Sequence, residues 1–144
     1  MGGGNDTYTS TSTGDVSVTA TAGNNTITTG AGADTITLGT GADIIVSGAG
    51  ADTFIVAGAS FNLNDNITGG TDTDSLHLST DASVVVDTDF TNVTSVETLT
   101  MSAADLAFTA TLSTLAAAAG IVTVTDTDTT GTMSLTLLAG FTNN

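Results

Sequence analysis

The large hydrophobic side chains in the first third of the chain recur every nine residues. Ile36, Ile45 and Phe54 each stand in a short run rich in β-branched side chains, and polar segments with paired glycines separate the runs. β-Branched residues favour extended strands, whereas glycine tolerates the backbone conformations of tight turns. The pattern therefore predicts one short strand and one turn in each nine-residue unit.

A single unit of this kind cannot bury its apolar side alone and must stack on its neighbours. Two strands and two turns return the chain to its starting side, which predicts a coil of about 18 residues. Units two apart, such as those of Asp34 and Asp52, then lie on the same side. We expect an all-β fold, a parallel β-roll or β-solenoid, with coils of this size over residues 1–75.

The polar positions keep the same register as the apolar ones. One unit upstream the register continues with Asn25 in place of an aspartate, and the first unit contributes Asp6 if Ser10 is an insertion. The unit between them has Val16 at the carboxylate position. The three regular units contribute Gly30, Gly39 and Gly48, then Gly32, Gly41 and Gly50, then Asp34, Asp43 and Asp52.

The second half of the chain loses this regularity. Residues 64–79 form a degenerate repeat, in which Asp65, Asp72 and Asp74 are candidates to complete a last site with Asp52 or Asp43. Later segments alternate apolar and polar residues and predict strands in wider, irregular coils of about 20–25 residues. The only expected helix lies at 113–120, capped by Ser113 and ended by Gly120. We expect one elongated domain over 1–144, regular in 1–74 and irregular in 75–144.

The charge of the chain is one-sided. It contains no lysine or arginine against 15 acidic residues, for a net charge of -15. Such a chain cannot neutralise phosphates, so nucleic-acid binding is excluded, and attraction to anionic membranes fails for the same reason. Self-repulsion opposes a compact state unless cations from solution bind to it.

The repeated turns offer only oxygen ligands, because the chain has no cysteine and its one histidine lies elsewhere. Calcium takes six to eight oxygens from carboxylates and backbone carbonyls, whereas softer metals prefer nitrogen or sulfur. A single such aspartate would be read as a solvated turn residue. Three in register favour calcium, and folding should then depend on the metal.

The segment 29–55, TGAGADTIT LGTGADIIV SGAGADTFI, resembles the repeats of the RTX family of secreted calcium-binding proteins. The resemblance implies calcium ions between stacked turns, held by the repeat aspartates and by backbone carbonyls of the glycine-rich loops. The sequence departs from the family at the first glycine of each pair, where it has Thr29, Leu38 and Ser47. Asn25 should weaken the site that it shares with Asp43.

The resemblance also implies a cellular route. RTX-like proteins leave Gram-negative cells unfolded by type I secretion and fold outside, where calcium is abundant. We therefore expect an extracellular or cell-surface protein with about two to four calcium ions. The predicted metal-site residues are Asp6, Asn25, Gly30, Gly32, Asp34, Gly39, Gly41, Asp43, Gly48, Gly50, Asp52, Asp65, Asp72 and Asp74.

The inventory of reactive side chains argues against an enzyme. His77 alternates with Leu76 and Leu78, which indicates an outward-facing strand residue, and no lysine or cysteine is present as a nucleophile. Neither a G-x-S-x-G elbow nor an H-E-x-x-H zinc helix occurs. We expect no catalytic residues and no organic cofactor.

Two non-enzymatic functions remain open. The first is a calcium-dependent structural subunit that polymerises end to end or laterally into a fibre, biofilm matrix or surface layer (S-layer), because solenoid ends expose strand edges. The alternative is a passive stalk or secretion module of a larger adhesin or hydrolase. Ice or carbohydrate binding through a threonine row is disfavoured, since the relevant turn positions read Ala31, Thr40 and Ala49.

Overall fold

The computed structural model describes residues 1–79, 84–102, 107–127 and 131–141. Within these ranges the chain forms short strands, one 3-10 turn (η1) and one short helix (α1). In chain order they are β1 (Thr7–Thr9), β2 (Ser17–Thr19), β3 (Thr26–Thr28), β4 (Thr35–Leu38), β5 (Ile44–Ala49), β6 (Thr53–Ala57), β7 (Asn66–Thr71), β8 (Ser75–Ser79), β9 (Val84–Val86), η1 (Asp87–Phe90), β10 (Val93–Thr94), β11 (Thr98–Ser102), β12 (Ala107–Leu112), α1 (Thr114–Ala119), β13 (Thr123–Asp126) and β14 (Thr132–Leu137).

All strand pairs are parallel and join strands from successive coils. One sheet has the order β1-β3-β5-β7-β10, a second has β13-β11-β8-β6-β4-β2, and a third has β14-β12-β9. Consecutive strands of the repeat block alternate between the first two sheets, so each coil contributes one strand to each. The predicted parallel β-solenoid is confirmed.

The register gives the size of each coil. Tyr8 pairs with Ile27, a step of 19 that accommodates the predicted insertion, and Ile36 then pairs with Phe54, a step of 18. The step from Phe54 to Leu76 is 22 residues, and Leu99 pairs with Val124, 25 residues away. The predicted small coils followed by wider ones are therefore present, but the small coils end after β6 and not at residue 75, because an insertion precedes β7.

Inward-facing side chains of successive coils stack into columns that form the core. The column of the six-stranded sheet contains Val18, Ile36, Phe54, Leu76 and Leu99, all buried. The first widened coil adds its own anchor residues to this core. The ring of Phe61 packs edge-on against Phe90, with ring centroids 5.2 Å apart. A single-residue-wide stack of this kind is stabilised mainly by contacts between neighbouring coils.

The predicted helix exists as α1, and Ser113 stands at its N-cap position as predicted. The Ser113 side chain, however, makes no capping hydrogen bond. Instead, the carboxylate of Asp87 accepts hydrogen bonds from the backbone N–H groups of Ser113, Leu115 and Ala116, at 2.7, 3.1 and 3.0 Å. The stacked neighbouring coil supplies this cap, which local sequence does not reveal. Gly120 ends the helix in the left-handed conformation, as predicted.

The described part of the chain contains no helix that is both long and apolar enough to cross a membrane. His77 lies on β8 facing outward and half-buried, as predicted, and its Nε2 is 2.5 Å from the Ser102 hydroxyl of the next coil.

Candidate metal centre

Carboxylates of successive coils line up in two columns, one on each side of the solenoid. The first acidic column contains Asp34, Asp52, Asp74 and Glu97, and the second contains Asp6, Asn25, Asp43 and Asp65. The members lie in the turn that leads into each strand, so strand register brings them into line. Stacking of Asp34 and Asp52 on the same side is therefore confirmed.

One oxygen of each acidic side chain in the first column is used by the neighbouring coil. The backbone N–H of Asp34 donates to Oδ1 of Asp52, and that of Asp52 donates to Oδ1 of Asp74, both at 2.8 Å. The N–H of Val16 makes the same 2.8 Å bond to Asp34. Each bond fixes the carboxylate against the next turn.

The second column repeats this arrangement with more variation. The N–H of Asn25 donates to Oδ1 of Asp43 at 2.8 Å, and the N–H of Asp43 donates to Oδ1 of Asp65 at 3.1 Å. The Asn25 amide also donates to Asp43, at 2.9 Å, and thus supplies a neutral donor where the other column has a carboxylate. The N–H of Asp6 in turn donates to Asn25, so the first unit joins this column.

The second oxygen of most of these carboxylates is buried without any partner. Oδ2 of Asp6, Asp34, Asp43, Asp52 and Asp74 has no hydrogen-bond donor within reach in the described chain. The side chains of Asp34, Asp43 and Asp52 are each only 1% exposed. A buried carboxylate oxygen without a donor is costly, and native proteins pair such groups or coordinate them to metal ions. No lysine or arginine exists in the chain to serve as the partner.

The glycines let the backbone of one turn pack directly against the backbone of the turn beneath it. Gly41 has φ 134° and Gly50 has φ 114°, and a Cβ on either would overlap the carbonyl oxygen of Gly23 or Gly32 in the turn beneath. Only glycine allows this approach of one turn to the next. The remaining predicted glycines, Gly30, Gly32, Gly39 and Gly48, lie in the same stacked turns and face backbone atoms of an earlier turn in the same way.

The departures from the repeat at the first glycine are accommodated without loss of polar contacts. The hydroxyl of Thr29 donates to the carbonyl of Ser47 at 2.9 Å, and that of Ser47 donates to the carbonyl of Gly69 at 2.6 Å. Leu38 points into the core. The hydroxyls therefore link turns that glycines would leave unlinked.

The structure separates the three candidates of the degenerate repeat. Asp74 lies above Asp52, and Asp65 lies above Asp43, each 22 residues further along the chain. Asp72 joins neither column. It is exposed, with φ 83°, and its Oδ2 accepts a hydrogen bond from the N–H of Gly50 at 3.2 Å. The insertion before β7 lengthens this coil from 18 to 22 residues, which places Asp74 rather than Asp72 against Asp52.

Burial and repulsion between carboxylates raise the pKa of two aspartates in the first widened coil, Asp65 and Asp74. Burial raises the pKa of Asp74 to about 6, and the charges of Asp52, Glu97 and Asp72 add to the effect. Burial also raises the pKa of Asp65, with a contribution from nearby Asp43 and Asp89. A cation at either place would favour the ionised carboxylates.

These residues fit a hard cation such as calcium. The described chain contains no group of three acidic, histidine or cysteine side chains that could hold a metal by themselves. A bound ion would therefore combine the unpartnered carboxylate oxygens of adjacent coils with carbonyls of the glycine turns, which is the all-oxygen ligand set that calcium prefers.

Comparison with known families agrees with the repeat block. Residues 19–54 match the family model of the RTX calcium-binding nonapeptide repeat, in four copies. The match ends two residues before Val56, close to where the coils widen. No match was found among curated proteins or among solved structures.

Proposed function

We propose that the protein is a calcium-dependent extracellular structural protein that assembles into a fibre, matrix or surface layer, because residues 19–54 match the RTX calcium-binding nonapeptide repeat. A calcium-binding structural role fits the repeats and the β-solenoid. The observation that carries the proposal is the set of buried carboxylate oxygens without a partner in a chain without basic residues.

The proposed ligands are the residues of the two acidic columns together with the carbonyls of the glycine turns. Bound calcium would supply the positive charge that the folded chain lacks. Because the columns exist only when the coils are stacked, calcium binding would contribute directly to the free energy of folding. We infer folding outside the cell, since RTX repeats are typical of secreted proteins and extracellular fluids supply calcium.

Assembly is proposed from the strand edges at the two ends of the described solenoid. β1 and β2 each have one sheet neighbour, as do β13 and β14 in the last described coil, whereas α1 packs beside β10. The strands are parallel, so a second copy stacked in the same direction could extend the sheet that runs from β2 to β13 with the same hydrogen-bond pattern. A head-to-tail contact of this kind does not close and leads to a filament.

Calcium would also make this contact possible between like-charged copies. At a net charge of -15, two metal-free chains repel each other. Bound ions reduce that repulsion, so assembly and folding should share one calcium requirement.

The test is electron microscopy and light scattering of the purified chain in millimolar calcium and again with excess chelator. Fibres or sheets that form in calcium and disappear on chelation support the proposal. A folded protein that stays monomeric in calcium removes the assembly part and favours the alternative, a passive stalk or secretion module within a larger protein. A chain that neither binds calcium nor changes its circular dichroism when calcium is added would refute both the structural subunit and the passive module.

A further inference from the structure

Glu97 continues the first acidic column beyond the repeats. The backbone N–H of Asp74 donates to Oε2 of Glu97 at 2.8 Å, across a step of 23 residues. This is the same contact, at the same length, that Asp34 makes to Asp52 and Asp52 makes to Asp74. The longer glutamate thus reaches the column from a wider coil, more than forty residues past the end of the matched repeat block.

The carboxylate that faces Glu97 has an unused oxygen. Asp74 is completely buried, and its Oδ2 has no hydrogen-bond donor among the described residues. A Cβ placed on Gly69 would overlap this Oδ2 and also the backbone carbonyl oxygen of Ser95. Two oxygens from different coils therefore lie side by side against Gly69, where any side chain larger than that of glycine would displace them.

The backbone beside this point has an uncommon conformation. Ser95 has φ 54°, a left-handed value that a serine adopts at some cost. This conformation accompanies the placement of the Ser95 carbonyl against Gly69, two residues before Glu97. A bound cation would give that orientation of the carbonyl a favourable interaction.

The local charge is negative without compensation. Asp52, Asp72 and Glu97 all surround Asp74, and the chain has no lysine or arginine to neutralise them. The neighbouring groups are carboxylates and carbonyls, so only a hard cation from solution matches their chemistry.

We propose that Asp74, Glu97 and the carbonyl of Ser95 form a further calcium site, outside the matched repeats, between the first two widened coils. The proposal rests on the proposed calcium-dependent function. Such a site would connect successive coils, because the backbone carbonyl of Glu97 accepts hydrogen bonds from the backbone N–H groups of Val122 and Thr123 at 2.9 and 3.0 Å. An ion held by Asp74 and Glu97 therefore links the coil of Asp74 to the coil that contains β13.

The first test counts calcium ions bound to the full chain, by native mass spectrometry and by isothermal titration with calcium alone. The Glu97→Gln variant keeps an oxygen acceptor for the Asp74 N–H but loses the charge. We expect it to bind one ion fewer than the wild type. The control is Asp15→Asn, an exposed carboxylate that also accepts a backbone bond, from Ala33 at 2.9 Å, and should bind the full number.

The second test needs no variant, because Glu97 is the only glutamate in the chain. Carbon-13 labelling of the glutamate side-chain carboxyl gives a single resonance. We expect this resonance to move away from the free-carboxylate position in the calcium-loaded folded protein.

The outcomes separate this inference from the proposed function. If the wild type binds calcium but Glu97→Gln binds the same number of ions, or if the Glu97 resonance stays at the free-carboxylate position, the site of Asp74 and Glu97 is refuted and the repeat sites are unaffected. If the wild type binds no calcium at all, the proposed function fails and this site fails with it.

Discussion

At the scale of single residues, the aspartates divide their two oxygens between different partners. In Asp34, Asp43, Asp52 and Asp74, Oδ1 accepts a backbone bond from the adjacent coil, while Oδ2 is buried and has no partner among the described residues. The first oxygen is a structural acceptor that asparagine could replace. The second requires a cation, since an uncompensated buried charge costs several kcal/mol. Only a carboxylate can therefore fill both roles at these positions, as acceptor of the backbone bond and as ligand of a cation.

Replacement of Asp52 by asparagine tests this division. Asparagine keeps the acceptor for the N–H of Asp34 but removes the charge. We expect calcium affinity at the sites next to residue 52 to fall at least tenfold, or about 1.4 kcal/mol. Calorimetric titration would measure the change.

The matched control is again Asp15→Asn, which has the same chemistry at an exposed position outside both columns. Equal calcium affinities of the Asp52→Asn protein and the Asp15→Asn protein would show that charge in the column is unimportant.

The pKa of Asp74, raised by burial to about 6, predicts how the metal-free chain responds to acid. Because this pKa is higher in the folded state than its ordinary value of 3.8, the folded state binds the proton more tightly. The ionised Asp74 side chain destabilises the folded state fully above pH about 6, and this destabilisation is relieved as the pH falls towards 3.8. Without calcium, we expect the free energy of unfolding to rise as the pH is lowered from 8 to 5. Urea titrations followed by circular dichroism would measure this free energy. A fall in the free energy of unfolding over the same pH change would contradict the raised pKa of Asp74.

At the scale of elements, the nine-residue period predicted the strands of the repeat block and their stacking, because each apolar residue is tied to its own turn. The register of Asp65 and Asp74 could not be predicted, since an insertion anchored by Phe61 changes the coil length between β6 and β7. Asp87 caps α1 and Glu97 accepts the bond from Asp74 only because of the coil that stacks next to each of them. The local sequence pattern does not show which coil that is.

Asp87 provides a test of contacts between coils. Asp87→Ala removes three hydrogen bonds to the start of α1 and should cost about 1–2 kcal/mol of stability. Asp87→Asn retains the oxygen that serves Ser113 and Ala116, so its loss should be smaller. Thermal unfolding in saturating calcium would compare them. Stability of Asp87→Ala equal to that of the wild type would contradict the assigned cap.

The close stacking of turns predicts strong sensitivity at Gly41. Alanine there would have to adopt φ 134° and would also overlap the carbonyl of Gly23. We expect Gly41→Ala to lose more than about 1 kcal/mol of stability. Gly2→Ala is the control, because a Cβ at Gly2 meets nothing within 4 Å. Equal midpoints in a denaturant titration with calcium would rule out this tight approach.

At the scale of the whole molecule, two forces of opposite sign act on one stack of coils. Apolar columns favour stacking, while the same stacking brings carboxylates of successive coils together in a chain of net charge -15. Solenoid stability is a sum over coils and their interfaces, so each interface that gains an ion gains stability locally. The organisation of 1–144 as a single domain stays a prediction.

Calcium ions that lie between the stacked turns as part of the fold would be located by X-ray diffraction. The sharpest experiment uses calcium-grown crystals and a long wavelength at which calcium scatters anomalously. We expect anomalous peaks in contact with Oδ2 of Asp34, Asp43 and Asp52. A well-ordered map with water at these oxygens and no anomalous signal would refute calcium as a component of the fold.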